Sequence, residues 1–146
     1  DEPTTGLDPQ AKHMVWQNIR ALRQDGKSIL LTTHNMEEAT DLCDRLIIMD
    51  KGIVVTEGKP TDLIKSHAGQ EVTEIRPSSL DYRTIIERLR RAEVLFQDGG
   101  DRLYLFGAQA RNIGGQIGLP DDDISVRPAN LEDVFFILTG RDLRNE

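Results

Sequence analysis

Apolar and polar positions follow different periods along the first half of the chain. From residue 9 to residue 24, apolar residues recur every three to four positions with basic residues between them, which predicts an amphipathic helix. Residues 28–33 form a short run rich in Ile, Leu and Thr, the pattern of a strand buried on both faces. Asn35 with Glu38 three residues later matches a capping box, so we expect a helix from residue 36 to about residue 44.

A hairpin and a short helix follow. Residues 45–50 and 53–57 have strand composition, and Asp50-Lys51-Gly52 between them is typical of a hairpin turn. Thr61 is expected to cap a helix that runs to about residue 67, and Ala68-Gly69-Gln70 is a candidate linker. The pattern therefore predicts two domains, residues 1–67 and residues 69–146.

The second half repeats the alternation of strands and helices. Strands are predicted at 71–76, 93–97, 102–106 and 124–127, and helices at 80–92, 108–117 and 131–138. The order β-α-β-β-α-β with a closing helix is that of a ferredoxin-like unit. In the last helix, Val134, Phe135 and Leu138 form an apolar stripe that we interpret as facing a core.

Composition restricts the class of function. The 146 residues are 38% hydrophobic and 29% charged, as in ordinary globular domains. A formal net charge of −7 argues against nucleic acid as a partner, because non-specific binding to nucleic acid requires a basic surface. No apolar run approaches the roughly 18 residues of a membrane helix. The single cysteine, Cys43, excludes an internal disulfide.

The candidate chemistry lies in an acidic pair and a histidine. Asp1 and Glu2 precede a turn that contains Gly6 and ends at Asp8, and His34 follows the apolar run at 28–33. Two acidic residues are most often only solvated charge, and a histidine at a strand end is most often a hydrogen-bonding cap. Phosphoryl transfer, however, needs one carboxylate to hold Mg²⁺ through its water shell and a second to orient the attacking water.

The chain resembles the ATPase subunits of ATP-binding-cassette (ABC) transporters. Three segments carry the resemblance, in this order: Asp-Glu-Pro-Thr-Thr-Gly-Leu-Asp-Pro, Ile-Leu-Leu-Thr-Thr-His and Cys-Asp-Arg-Leu-Ile-Ile-Met-Asp-Lys-Gly. The resemblance covers residues 1 to about 65. It implies that Asp1 ends a Walker B motif and serves Mg²⁺, that Glu2 is the water-orienting base, and that His34 contacts the γ-phosphate. It also implies that residues 5–8, with Gly6 and Asp8, form the D-loop at the interface with a second subunit.

Residues 69–146 are similar to the C-terminal extension of some exporter-type ATPase subunits, the drug-export and nodulation-factor-export relatives. The segment from Asn130 to Arg141 carries this similarity. The fold class implied is α/β, with the C-terminal part of a P-loop NTPase-type nucleotide-binding domain followed by a small α+β accessory domain. The whole subunit would be a homodimer that uses ATP and Mg²⁺, binds a membrane permease and lies on the inner face of the cell membrane, in the cytoplasm.

Three motifs of the family do not occur in the chain: the phosphate loop, the Leu-Ser-Gly-Gly-Gln signature and the glutamine loop. The 146 residues contain no phosphate loop of the form G-x-x-x-x-G-K-[ST], and the motifs start at residue 1, which indicates a piece of a longer protein. We therefore expect the 146 residues alone to be inactive. A non-catalytic regulatory or dimerisation module, or a small-ligand sensor in residues 69–146, stays open as an alternative. Because the strand at 29–33 would have uncovered faces, self-association through residues 1–65 is also expected.

Overall fold

The computed structural model describes residues 1–78, 81–107 and 110–140. The chain divides into two compact units, Asp1–Pro60 and Thr61–Glu146. The first unit contains a two-stranded sheet and the second a four-stranded sheet, and helices accompany both. The predicted mixture of α and β structure is confirmed at this level. No helix in the described ranges is long and apolar enough to cross a membrane.

The first unit begins with the predicted amphipathic helix. Its elements are α1 (Pro9–Gln24), α2 (Met36–Leu42), β1 (Leu46–Asp50) and β2 (Ile53–Gly58). The Asp8 side chain caps α1, and Pro9 occupies the first turn, where its missing N–H costs nothing. The strands pair antiparallel around Lys51 and Gly52, whose φ angles of 49° and 77° are those of a type I′ turn. The predicted helix and hairpin are confirmed.

The strand predicted at residues 28–33 is not formed. These residues belong to neither sheet, and Leu30 is 95% exposed. The prediction of a strand buried on both faces is therefore wrong for this chain. A strand exists only through hydrogen bonds to a neighbour. Among the described residues, this segment receives a single backbone bond, from Glu2 N–H to Thr32 O at 2.8 Å. Apolar composition could not supply the missing partner.

The second unit contains the remaining elements, with one turn of π-helix at Ile64–Ala68 and 3₁₀ turns at Ala110–Asn112 and Asp121–Asp123. Its helices are α3 (Pro60–Leu63, which starts at the unit boundary), α4 (Tyr82–Arg91), α5 (Ile113–Ile117) and α6 (Leu131–Thr139). Its strands are β3 (Glu71–Ile75), β4 (Phe96–Asp98), β5 (Leu103–Leu105) and β6 (Ile124–Pro128). The sheet order is β4-β5-β3-β6, and every neighbouring pair is antiparallel.

Both faces of this sheet are covered by helices. Residues of α4 and α5 pack on one face against Ile75, Leu103 and Leu105, all of which are fully buried. On the other face, Phe136 of α6 stacks on Phe106, with 5.7 Å between the ring centroids. Val134 and Phe135 are buried, as the apolar stripe of the last helix predicted. Because successive strand residues point to opposite faces, the sheet contributes to two separate apolar clusters, one on each face.

The unit boundary lies before the predicted one. Leu63 and Ala68 are buried, and the π turn packs against α6, so residues 61–68 are part of the second unit. The predicted linker is also tied into this unit, because Ala129 N–H donates to Gln70 O at 3.0 Å. A polar, glycine-containing composition did not reveal these contacts. The predicted helix starts at residues 80 and 108 and the end of the similar segment at Arg141 lie outside the described residues.

Candidate functional site

Glu2 and His34 are in direct contact. The Glu2 carboxylate accepts the His34 backbone N–H at 3.0 Å, and His34 Nδ1 lies 2.8 Å from its second oxygen. The Thr5 hydroxyl donates to that second oxygen at 2.9 Å. Glu2 itself has a left-handed φ of 44°, and its N–H is held by Thr32 O. The Glu2 carboxylate therefore links two segments that are 32 residues apart in the sequence.

These contacts change the acidity of Glu2. The side-chain hydrogen bond from His34 is the main cause that lowers the pKa of the Glu2 carboxyl below its ordinary value of 4.5, and the Thr5 hydroxyl contributes in the same direction. A lowered pKa means that folding favours the ionised form. The contact therefore stabilises the fold at pH above the ordinary value and is lost as the pH falls through the lowered one. At neutral pH Glu2 is ionised.

Asp1 contacts the segment that also binds Glu2, whereas Gly6 and Asp8 do not. The Thr32 hydroxyl donates to the Asp1 carboxylate, and Asp1 is exposed. Asp8 accepts the N–H groups of Gln10 and Ala11 at 2.9 and 3.0 Å, so its contacts are those of a helix cap. Gly6 lies in the turn that precedes Asp8 and has a φ of 77°, a conformation that other residues rarely adopt.

The site could bind Mg²⁺ only with most of the ligands supplied by water or substrate. Within residues 1–78, 81–107 and 110–140, no group of three or more His, Cys, Asp or Glu side chains could hold a metal ion by itself. Mg²⁺ is commonly bound by one or two carboxylates, with waters and substrate phosphates completing its shell. The exposed Asp1 carboxylate fits that role.

A buried carboxylate next to this site was not found by sequence reasoning. Glu38 is fully buried and accepts hydrogen bonds from the Thr4 hydroxyl and from Trp16 Nε1, both at 2.9 Å. Half of the expected capping box is present, since Asn35 Oδ1 accepts the Glu38 N–H at 3.0 Å. The reciprocal half is absent: the Asn35 N–H donates to the Thr33 hydroxyl instead. No local pattern pairs Glu38 with Thr4, 34 residues away.

Comparison with known proteins extends these observations. The chain is 45% identical over 144 residues to Nod factor export ATP-binding protein I of Bradyrhizobium diazoefficiens, a match that covers 98% of this chain and 46% of that protein. Proteins of the same name from Mesorhizobium japonicum and Ralstonia nicotianae are 43% and 42% identical, covering 98% and 99% of this chain and 42% and 47% of theirs. The chain thus spans less than half the length of these relatives. No protein-family model matches it.

Proposed function

We propose that this chain is part of the ATP-hydrolysing subunit of an ABC exporter, because its similarity to such subunits is confirmed over 98% of its length. The observation that carries the proposal is the contact between Glu2 and His34 beside the Asp1 carboxylate. It joins the two segments that the resemblance assigns to hydrolysis. The direct test is ATP hydrolysis by a full-length protein that contains these residues, compared with variants at Glu2 and His34.

Each residue has a proposed part in hydrolysis. Glu2 is ionised, and its carboxylate is held by the Thr5 hydroxyl and by the backbone and ring nitrogens of His34, so it can orient a water molecule for in-line attack on a phosphate. The His34 side chain is 73% exposed and can donate to a terminal phosphate oxygen. Asp1 would hold Mg²⁺ through its water shell, and that ion would neutralise phosphate charge when bound.

The domain assignment is proposed in the same terms. The first unit would be the C-terminal part of a P-loop NTPase-type domain, with Gly6 and Asp8 in a D-loop that faces a second ATPase subunit. The strand order β4-β5-β3-β6 of the second unit supports a ferredoxin-like accessory domain. The subunit would bind a membrane permease and lie on the inner face of the cell membrane. The relatives are named for the export of Nod factor, and an export substrate of that class is our proposal for this chain.

The 146-residue chain alone should neither bind ATP tightly nor hydrolyse it. A phosphate loop supplies backbone N–H groups and a lysine to the triphosphate, and no G-x-x-x-x-G-K-[ST] segment occurs among the 146 residues. Calorimetry with Mg-ATP should give no binding at micromolar concentration, and phosphate release should equal the blank without protein. Micromolar affinity, or turnover that disappears in a Glu2→Gln variant, would contradict this expectation.

The chain should also self-associate, and the exposed apolar side chains of its hairpin favour a dimerisation module as a second candidate function. Four apolar side chains of the β1–β2 hairpin, those of Ile47, Met49, Ile53 and Val54, are each more than half exposed. Exposed apolar side chains on a two-stranded sheet favour pairing with another copy. Light scattering should give a mass above 16.4 kDa, and Ile53→Lys should lower it. A monomer at high concentration would contradict the prediction.

A further inference from the structure

The burial of the Glu38 carboxylate is energetically unfavourable. Its side chain is fully buried, its Oε1 accepts two hydrogen bonds from neutral donors, and its Oε2 has no hydrogen-bond partner among the described residues. Burial of a carboxylate without a cationic partner is unfavourable, because hydration is lost and only partly replaced. Its neighbour Glu37, by contrast, is largely exposed and pairs with Lys12 at 2.7 Å.

The contacts of Glu38 connect the two halves of the candidate site. Its carboxylate binds Thr4, which lies two residues after Glu2. Its backbone N–H binds the side chain of Asn35, which directly follows His34. Together with the contact between Glu2 and His34, these bonds form a closed ring: Glu2, Thr4, Glu38, Asn35, His34 and back to Glu2. In a closed ring, a shift at one position must be accommodated by the others.

We propose that Glu38 is a positioning residue that sets the separation of Glu2 and His34 through Thr4 and Asn35. It touches neither member of the pair, and it acts by fixing the backbone that carries each of them. The consequence for catalysis rests on the proposed ATPase function, whereas the consequence for geometry does not. The Glu38 side chain does not accept the Asn35 N–H, as a capping box requires, and binds the distant Thr4 instead. This departure from a local pattern in favour of a long-range contact supports the proposed role.

The geometry can be tested in the 146-residue chain by NMR. Trp16 is the only tryptophan, so its single indole N–H resonance reports its bond to Glu38. The backbone and ring resonances of His34 report the contact with Glu2. Glu38→Met, which removes the acceptor at similar length, should shift both sets of resonances. Glu38→Gln, which keeps one oxygen, should retain them. Glu37→Met is the matched control for the His34 resonances and should leave them unchanged; the indole signal is not compared in this variant, because Lys12, the partner of Glu37, lies 4.5 Å from the centre of the Trp16 ring.

A second pair of variants keeps the test decisive if Glu38→Met does not fold. Thr4→Val removes the hydroxyl and keeps the shape, so the His34 resonances should shift. Thr4→Ser restores the hydroxyl and should bring them back towards the parent positions. Circular dichroism confirms that each variant is folded. Unchanged His34 resonances in folded Thr4→Val, or equal shifts in Thr4→Val and Thr4→Ser, would overturn the proposal.

The catalytic consequence is separable from the geometry. In a full-length ATPase that contains this segment, Thr4→Val should lower kcat by roughly 10- to 100-fold with little change in KM for ATP, because misplacement of catalytic groups affects the chemical step. Thr4→Ser should recover most of that loss. An inactive parent protein would refute the proposed function and leave the NMR result standing. An active parent with unchanged kcat in Thr4→Val would refute the role of Glu38 in catalysis.

Discussion

Glu2→Gln should stop ATP turnover in a full-length subunit that contains this segment, with kcat lowered roughly 100- to 10,000-fold and ATP binding nearly unchanged. The Glu2 carboxylate accepts hydrogen bonds from the His34 N–H and the Thr5 hydroxyl at 3.0 and 2.9 Å. A glutamine side chain has the same shape and can keep one such oxygen. It cannot carry the negative charge that attracts and orients a water proton. Turnover is therefore lost while the local structure is retained.

The measurement separates catalysis from binding. Steady-state hydrolysis gives kcat, and filter binding or calorimetry gives the affinity for Mg-ATP, both on the same full-length preparation. Glu37→Gln is the matched control, since Glu37 lies on the exposed side of α2 and contacts Lys12. Loss of ATP affinity as large as the loss of kcat would mean that Glu2 binds nucleotide, and the proposed role would be wrong.

Local signals predicted those elements whose causes are local. The recurrence of apolar residues from residue 9 to residue 24 was sufficient to place α1, and the cap by Asp8 and Pro9 in the first turn agree with it. The Lys51-Gly52 turn is likewise determined within the hairpin. For the second unit, the alternation of strands and helices anticipated the four strands of the sheet, and the helix predicted at 80–92 is the one that carries the buried Ile85 and Leu89.

Features that depend on distant partners were predicted poorly. Residues 28–33 have the composition of a buried strand, but strand formation needs a hydrogen-bonded neighbour. Glu38 matched a capping box and instead binds Thr4 and Trp16. For the candidate site, the sequence placed Asp1, Glu2 and His34 by resemblance, and their mutual contacts depend on a fold that joins residues 1–5 to residues 32–34.

Asp133→Ala should destabilise the second unit by about 3–5 kcal/mol, a large fraction of the stability of a small domain. Asp133 is 1% exposed, and both its carboxylate oxygens lie 2.7 Å from the Arg127 guanidinium. This contact is the main cause that raises the pKa of Arg127 above its ordinary value. Asp133 also accepts the Asn130 N–H at 2.9 Å in the capping box of α6. Its removal leaves a partly buried cation and only half of the capping box, since the Asn130 side chain still accepts the backbone N–H of residue 133.

Urea unfolding followed by circular dichroism measures the loss, and two further variants decide its cause. Glu132→Ala, one residue earlier in the same helical turn, should cost less than about 1 kcal/mol, because Glu132 interacts mainly with the helix dipole. Arg127→Met combined with Asp133→Ala should recover part of the stability, since the unpaired cation is then absent. Arg127 also contacts Glu74 at 2.6 Å and lies over the Tyr104 ring, so recovery should be incomplete. If Asp133→Ala costs no more than Glu132→Ala, Glu74 alone satisfies Arg127, and the ion pair with Asp133 does not hold α6 on the sheet.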